Sequence, residues 1–426
     1  MKVHLDMVGC RLNQSEIESI ASKIRQYEHQ IIGTPEEADL VIINTCCVTA
    51  KAAADSRKMI RHAIAEGAKQ VVVTGCWATL FAEDANAITG VAWVFDNSRK
   101  DLIVETIFGS QTRQKTNLHV QREPLPGERH RTRAFIKVQE GCDDHCTFCL
   151  TRLARGRSRS VPFDIVKQDI LSAVNGGTKE IVLTGVQLGA YGRDLEPGSN
   201  LVALILESLS VAPTMRVRLS SLEPWDVTDE LIRLWQNPQM CRHLHIPIQS
   251  GSAHILHRMG RRITSSEYSN LVERIRRYIP EIAITTDVIV GFPGESNEDF
   301  QSTCNLIRFL GLAGGHVFTY SAMKGTGAEK FPGQVLYSIR KERNHIARQL
   351  LQECTSSFMQ NAINKQFAVL WERTEQKQDY FELLGHTDNY MKVTARSDKE
   401  LYNEISLVHI TGINEGGDHL VGAISS

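Results

Sequence analysis

From about Phe135 onward the chain repeats one pattern six times: a short apolar run, then an amphipathic stretch. The runs are AFIKVQ, EIVLTG, RVRLSS, HLHIPIQ, ITTDVIVG and HVFTYS, and FDIVKQDILSAVNG and SEYSNLVERIRRY are two of the stretches between them. Apolar strands that alternate with helices argue for a parallel α/β sheet, because each helix carries the chain back to the end where the last strand began. Six such units predict a barrel, or a partial (βα)6 barrel. The segment SIRKERNHIARQLLQECTSSFMQNAIN reads as one long helix that closes it.

The flanking segments differ. Before the barrel, VHLDMV, ADLVIIN and QVVVTG alternate with SEIESIASKIRQY and AAADSRKMIRHAIAEG, the pattern of a Rossmann-like open parallel sheet. Residues 111–133 are polar and without apolar periodicity, as in a linker. After the long helix come FAVLWE, YFELLGH, YMKVTA, EISLVHITGI and HLVGAI, five short strands that suggest a small antiparallel barrel. The expected domains are residues 1–112, 128–360 and 363–426.

A formal net charge of −1 gives no sign of a nucleic-acid partner, so any such partner needs a local patch. MKVHLDMVGC reads as a strand and not a signal peptide, and no run approaches the roughly 18 apolar residues of a membrane helix. A cytoplasmic location with no membrane contact is the expectation. There, ten cysteines are not a disulfide framework. Cys241, Cys304 and Cys354 read as buried small hydrophobes.

The segment EGCDDHCTFC is different, with Cys142, Cys146 and Cys149 directly after the first barrel strand. Chemistry in βα barrels sits at the C-terminal ends of strands. Structural zinc wants four ligands, and the nearest fourth, His145, adjoins Cys146 and points elsewhere in extended backbone. A cubane 4Fe-4S cluster held by three thiolates would keep one iron open for a small molecule. On spacing alone, zinc and chance clustering remain alternatives.

Cys10, Cys46 and Cys76 follow the strands ending MVGC, INTC and VTGC, at gaps of 36 and 30 residues. These gaps suit βαβ units, whose parallel strands deliver their C-terminal ends to one edge. Three thiols so placed can converge on one metal centre, and three unrelated core cysteines are the alternative. Adjacent residues face opposite ways, so only one of Cys46 and Cys47 should be a ligand; the residues do not choose.

The whole pattern resembles the methylthiotransferases, a radical S-adenosylmethionine (SAM) family. GCRLNQSE, INTCCVTA and VTGCWA match that family's first domain, and GCDDHCTFC, ARGRSRSV, LTGVQLGAYG, RLSSLEP, HLHIPIQSGS and TTDVIVGFPGE match its second. The last 60 or so residues resemble a TRAM domain, an RNA-binding β barrel. LTGVQLGAYGRDL and HLHIPIQSGS most resemble the branch that converts N6-threonylcarbamoyladenosine beside the tRNA anticodon into its 2-methylthio derivative. Other branches modify isopentenylated adenosine or a ribosomal-protein aspartate. A non-catalytic metal-containing RNA-binding protein is the reading from another class.

The resemblance implies two 4Fe-4S clusters, one on Cys142, Cys146 and Cys149 and one on Cys10, Cys46 and Cys76. It implies SAM as radical source and methyl donor, a sulfur donor, and an electron donor such as flavodoxin or ferredoxin. It places SAM near Phe148, Thr184, Gly185, Gln249, Ser250, Asp287 and Ile289. One departure is CLTRLARGR, which lacks the Ile-Pro pair usual near Leu150 and Thr151.

For the RNA, residues 111–165 hold 11 Lys and Arg against 6 Asp and Glu. Arg152, Arg155, Arg157 and Arg159 are candidates to grip anticodon-stem phosphates. From Lys365 onward 6 Lys and Arg face 10 Asp and Glu, so an RNA-binding barrel there must use one face, with Tyr390, Lys392 and Arg396 as candidates.

Overall fold

The computed structural model describes residues 1–109, 122–123 and 132–425. The expected boundaries at residues 112 and 128, and most of the linker, lie outside these residues. The first sheet holds β1 (Lys2–Met7), β2 (Gln30–Ile32), β3 (Leu40–Thr45), β4 (Val71–Gly75) and β5 (Val91–Val94). It is parallel throughout, in the order β2-β1-β3-β4-β5. β3 and β4 are central and buried along their whole length, which is why they read as continuous apolar runs. The helices here are α1 (Arg11–Gln26), α2 (Ala50–Ala65), α3 (Cys76–Leu80), α4 (Ala82–Asn86) and α5 (Ile103–Phe108).

Six parallel strands follow: β6 (Arg133–Lys137), then, after the two-residue pair β7 (Gln139–Glu140) and β8 (Arg159–Ser160), β9 (Glu180–Thr184), β10 (Arg216–Leu219), β11 (His243–His245), β12 (Ala283–Val290) and β13 (Gly314–Thr319). They form two three-stranded sets, β10-β9-β6 and β11-β12-β13, joined by single bridges at Val217–Met240 and Ser221–His245. Between or after them run α6 (Thr151–Arg155), α7 (Phe163–Asn175), α8 (Leu201–Val211), α9 (Asp229–Arg233), α10 (Ala253–Arg258), α11 (Ser265–Tyr278), α12 (Asn297–Leu310) and the closing α13 (Tyr337–Gln360). This is the expected partial (βα)6 barrel.

Alternation along the strands sorts its two faces. Ile136, Ile181, Leu183, Val217, Leu219, Leu244 and Ile284 turn outward into one apolar core with the helices. Arg133, Glu180, Arg218, His243, His245, Thr285 and Asp287 occupy the opposite face, which lines the lumen.

The last five strands are β14 (Gln366–Gln376), β15 (Phe381–Thr387), β16 (Lys392–Ser397), β17 (Ile405–Ile413) and β18 (Leu420–Ile424). They close into a barrel in the order β14-β15-β16-β18-β17. The antiparallel expectation needs one correction: β16 and β18 pair in parallel, through Val393–Leu420 and Thr394–Val421. An odd number of strands cannot alternate direction all the way round a closed ring, so one seam must be parallel.

The turn between β15 and β16 seats this barrel against the six-stranded one. Arg218 donates to Asp388 O at 3.0 Å and Thr387 O at 3.3 Å, and Arg242 grips the Asp388 carboxylate at 2.6 and 3.1 Å. No described helix is long and apolar enough to cross a membrane.

Candidate active site

Two groups of three thiols flank the seam between the first sheet and the six-stranded barrel. Cys10, Cys46 and Cys76 stand just past the C-terminal ends of β1, β3 and β4. Cys142, Cys146 and Cys149 lie in the loop between β7 and α6. One backbone device recurs: Gly9, Gly75 and Gly141 each precede one of these cysteines, with φ of +119°, +98° and +72°. A Cβ on Gly9 would fall 2.7 Å from Cys46 Cβ, and one on Gly141 would fall 1.9 Å from Arg157 O. Only glycine permits both the dihedral and the approach.

In the first group Cys46 and Cys76 are buried and Cys10 is exposed. Burial pushes the Cys46 thiol up to about 12, and the closeness of Cys10 and Cys76 pushes in the same direction. Asn97 Nδ2 donates toward Cys76 Sγ at 3.7 Å, and Cys10 Sγ donates toward Asn13 Oδ1 at 3.8 Å. Cys46 lies against Gly9, whereas Cys47 is fully buried in an apolar cluster with Ile60 and Trp77.

In the second group each sulfur meets an N–H donor. Asp144 N reaches Cys142 Sγ at 3.4 Å, Thr151 N reaches Cys149 Sγ at 3.4 Å, and Arg261 Nη1 reaches Cys146 Sγ at 3.8 Å. Such donors spread thiolate charge and tune iron–sulfur centres. Burial pushes Cys142 up to about 12 and Cys146 up to about 11, with the Arg261 guanidinium opposing it at Cys146. Arg261 is itself held by Glu223 at 2.6 Å and donates to Pro247 O at 2.8 Å.

Among the described residues, no three His, Cys, Asp or Glu side chains converge on a point suited to one metal ion. A cubane attaches each thiolate to a different iron and so needs a wider triangle. Each triad offers three thiols, the donor type that an iron–sulfur cluster takes.

The seam itself is a buried charge network. Arg155 on α6 donates to Glu16 Oε1 at 2.7 Å, Asn13 Oδ1 at 2.7 Å and Glu140 Oε1 at 2.9 Å. Lys100 Nζ reaches Glu16 Oε2 at 2.6 Å. These two cations hold the Glu16 carboxyl well below its usual range despite burial. Beside the network, Leu150 and Ala154 pack in one apolar cluster with Cys76 and Trp77. The segment that follows Cys149 thus rests on the helix that begins at Cys76.

The residues expected near SAM are partly brought together. Phe148 and Ile289 meet in one apolar cluster with Ile255, Met259 and Phe292. Thr184 Oγ1 and Asp287 Oδ1 are buried with no protein partner, as groups that serve a ligand would be. Gly185 packs tightly on Gln139, 2.9 Å from its Oε1 to an added Cβ. Gln249 holds φ +70°, a strained value for a non-glycine, with its N and O tied to Asp287 O and Ile289 N. The Ser250 hydroxyl faces α12, 3.3 Å from Thr303 Oγ1.

One RNA candidate is corrected, and a second, Tyr390, turns toward the six-stranded barrel and not out from its own. Arg155 is 4 % exposed and fully engaged in the seam, so it cannot face phosphate. Its partner Glu16 lies 139 residues away in sequence, beyond local pattern. The i, i+4 apolar pair Leu150 and Ala154 was the signal to read, since it marks one side of α6 for burial. Tyr390 stacks on His243 (4.7 Å between centroids) and His386 (5.1 Å), inside the molecule. Arg157 and Arg159 are exposed, Arg152 is half-buried and donates to the His145 ring at 2.7 Å, Lys392 lies 3.9 Å from Asp418, and Arg396 stacks over Tyr380. Sequence reasoning missed Arg11, Asn13, Glu16, Asn97 and Arg261.

The Radical SAM superfamily profile matches residues 136–307, and that of "Uncharacterized protein family UPF0004" matches residues 2–96. The threonylcarbamoyladenosine tRNA methylthiotransferase MtaB of Thermotoga maritima is 35% identical over 97% of this chain and 95% of its own length. The Bacillus subtilis protein of the same name is 34% identical over 95% and 92%. Among solved structures, the radical SAM methyltransferase TsrM of Kitasatospora setae superposes with a TM-score of 0.54 at 14% identity, over 74% of this chain and 72% of that one, a likeness of fold. Taken with the two thiol triads on one seam, similarity of this extent means that the chain belongs to the radical SAM methylthiotransferase family.

Proposed function

We propose that this enzyme converts N6-threonylcarbamoyladenosine beside the tRNA anticodon into its 2-methylthio derivative. The observation that carries the reading is the juxtaposition of two thiol triads across the Arg155–Glu16 seam, in a chain similar over nearly its full length to threonylcarbamoyladenosine tRNA methylthiotransferases. Carbon 2 of adenine bears an unactivated hydrogen that no side-chain base removes at neutral pH, so the bound groups, two 4Fe-4S clusters and SAM, supply radical chemistry, sulfur and methyl.

The chain's own residues hold and orient. Cys142, Cys146 and Cys149 would bind the cluster that engages SAM, and Cys10, Cys46 and Cys76 the auxiliary one. Phe148 and Ile289 offer the apolar slot for the adenine of SAM. The unpartnered Thr184 and Asp287 oxygens, with Gln249, suit its amino and ribose groups. The closed five-stranded barrel acts as a TRAM-like RNA-binding domain, and Arg152, Arg157 and Arg159 meet phosphates beside the cluster loop. The domains follow the sheets, as residues 1–112, 128–360 and 363–426. An electron donor such as flavodoxin or ferredoxin, a sulfur donor and a cytoplasmic location complete the reading.

Nucleoside mass spectrometry of tRNA from a strain lacking the gene tests it. The methylthio-threonylcarbamoyl nucleoside should vanish while its unmodified precursor accumulates. Persistence of the modified nucleoside removes the reading.

A further inference from the structure

Arg11 is the chain neighbour of Cys10, and its side chain reaches Tyr390, whose ring stacks on the lumen-facing His243. Its Nη2 lies 3.4 Å from the Tyr390 hydroxyl, and its guanidinium carbon 5.6 Å from the ring centroid. Two more guanidiniums crowd the same ring: Arg133 at 5.3 Å and Arg218 at 4.8 Å. Those two are neutralised. Arg218 grips Glu180 at 2.6 and 3.1 Å, and Arg133 pairs with Glu372 at 2.9 Å. Among the described residues, no carboxylate pairs with Arg11; its one polar partner is the tyrosine hydroxyl.

A largely buried cation crowded by like charges, with no counter-ion, is costly to keep. Such a group is well matched to an anion that arrives with a ligand. Guanidinium donors in a fixed fork suit a carboxylate, and the phenol adds one more donor. Of the two adenosine modifications at issue, the threonylcarbamoyl group ends in a carboxylate and the isopentenyl group has none. A group held at Arg11 is also held beside the auxiliary thiol Cys10.

We propose that Arg11, assisted by the Tyr390 hydroxyl, binds the substrate carboxylate of the threonylcarbamoyl group and so selects that substrate. The inference rests on the function proposed above. It makes Arg11 a specificity residue and gives Tyr390 a substrate contact from the C-terminal barrel.

The test uses full-length protein, reconstituted anaerobically, and an anticodon stem-loop RNA carrying threonylcarbamoyladenosine. A second RNA carries the same group as its methyl ester. Wild-type protein should bind and methylthiolate the acid roughly tenfold to a hundredfold better than the ester, the range of a hydrogen bond to a charged group. Arg11→Gln should abolish that preference, Arg11→Lys should keep part of it, and Tyr390→Phe should reduce it modestly. A merely structural Arg11 would lower stability and leave the acid-to-ester ratio intact, which overturns the proposal. So does a wild-type protein that treats both RNAs alike, a comparison that needs no variant to fold. If wild-type protein cleaves SAM but methylthiolates neither RNA, the substrate reading itself fails.

Discussion

Arg155 Nη1 lies 2.7 Å from Glu16 Oε1, and the side chains of both are about 2 % exposed. One belongs to the helix after the three-cysteine loop and the other to the helix that starts beside Cys10, so the buried network around this ion pair joins the two thiol triads. Glu16→Gln would leave Lys100 buried without a counter-charge and Arg155 with Glu140 as its remaining carboxylate. Breaking a buried pair in this way costs about 3–5 kcal/mol. The expected outcome is a lower thermal midpoint, and a methylthiolation rate that falls further than SAM cleavage alone. Calorimetry and paired activity assays check both.

Replacing Cys10, Cys46 and Cys76 together by alanine should halve the iron and sulfide taken up on anaerobic reconstitution. Cys47→Ala should leave both unchanged, because Cys46, and not Cys47, lies against Gly9 beside Cys10. Metal analysis of the two variants beside the wild type decides the point.

Acid should loosen the molecule through its paired carboxylates. The Arg218 guanidinium holds Glu180 down to about 2, from 4.5, despite full burial. A carboxylate with a depressed folded value contributes stability above its unfolded value, and the contribution is lost as pH falls through the window toward the folded value. Between pH 4.5 and 2 the Glu180 share, on the order of 3 kcal/mol, should therefore disappear. Glu180→Gln should be less stable at pH 7 and should show a flatter acid limb in thermal melts taken across that range.

Arg157 and Arg159 stay exposed beside the cluster loop, and Arg152 is half-exposed there. Changing all three to glutamine should weaken tRNA binding at low salt. The slope of log affinity against log salt should fall by about one for each phosphate no longer neutralised. An unchanged slope would place the RNA elsewhere.

The sequence displayed what is periodic and hid what is distant. Barrel strands such as EIVLTG and ITTDVIVG declare themselves as short apolar runs and by the helices around them, and all six occur in the expected order. That Cys10, Cys46 and Cys76 come to one sheet edge was legible because each follows a parallel strand. In the run RLARGRSRS the arginines look alike, and only the apolar pair Leu150 and Ala154 marks a buried side of α6; that Arg155 meets Glu16 there comes from α6 landing on α3 across the seam. Tyr390 read as a surface aromatic for the same reason: its stacking partner His243 belongs to another sheet. The parallel seam of the last barrel was deducible from an odd strand number, by topology and not by residue pattern.

The left-handed glycines ahead of Cys10, Cys76 and Cys142 carry a practical warning. A saturation screen scored on metal loading would flag Gly9, Gly75 and Gly141 alongside the cysteines, although none of them owns an atom that can coordinate anything. Their intolerance would be that of a hinge with only one permitted setting, and a map of ligands drawn from such a screen would be wrong by three residues.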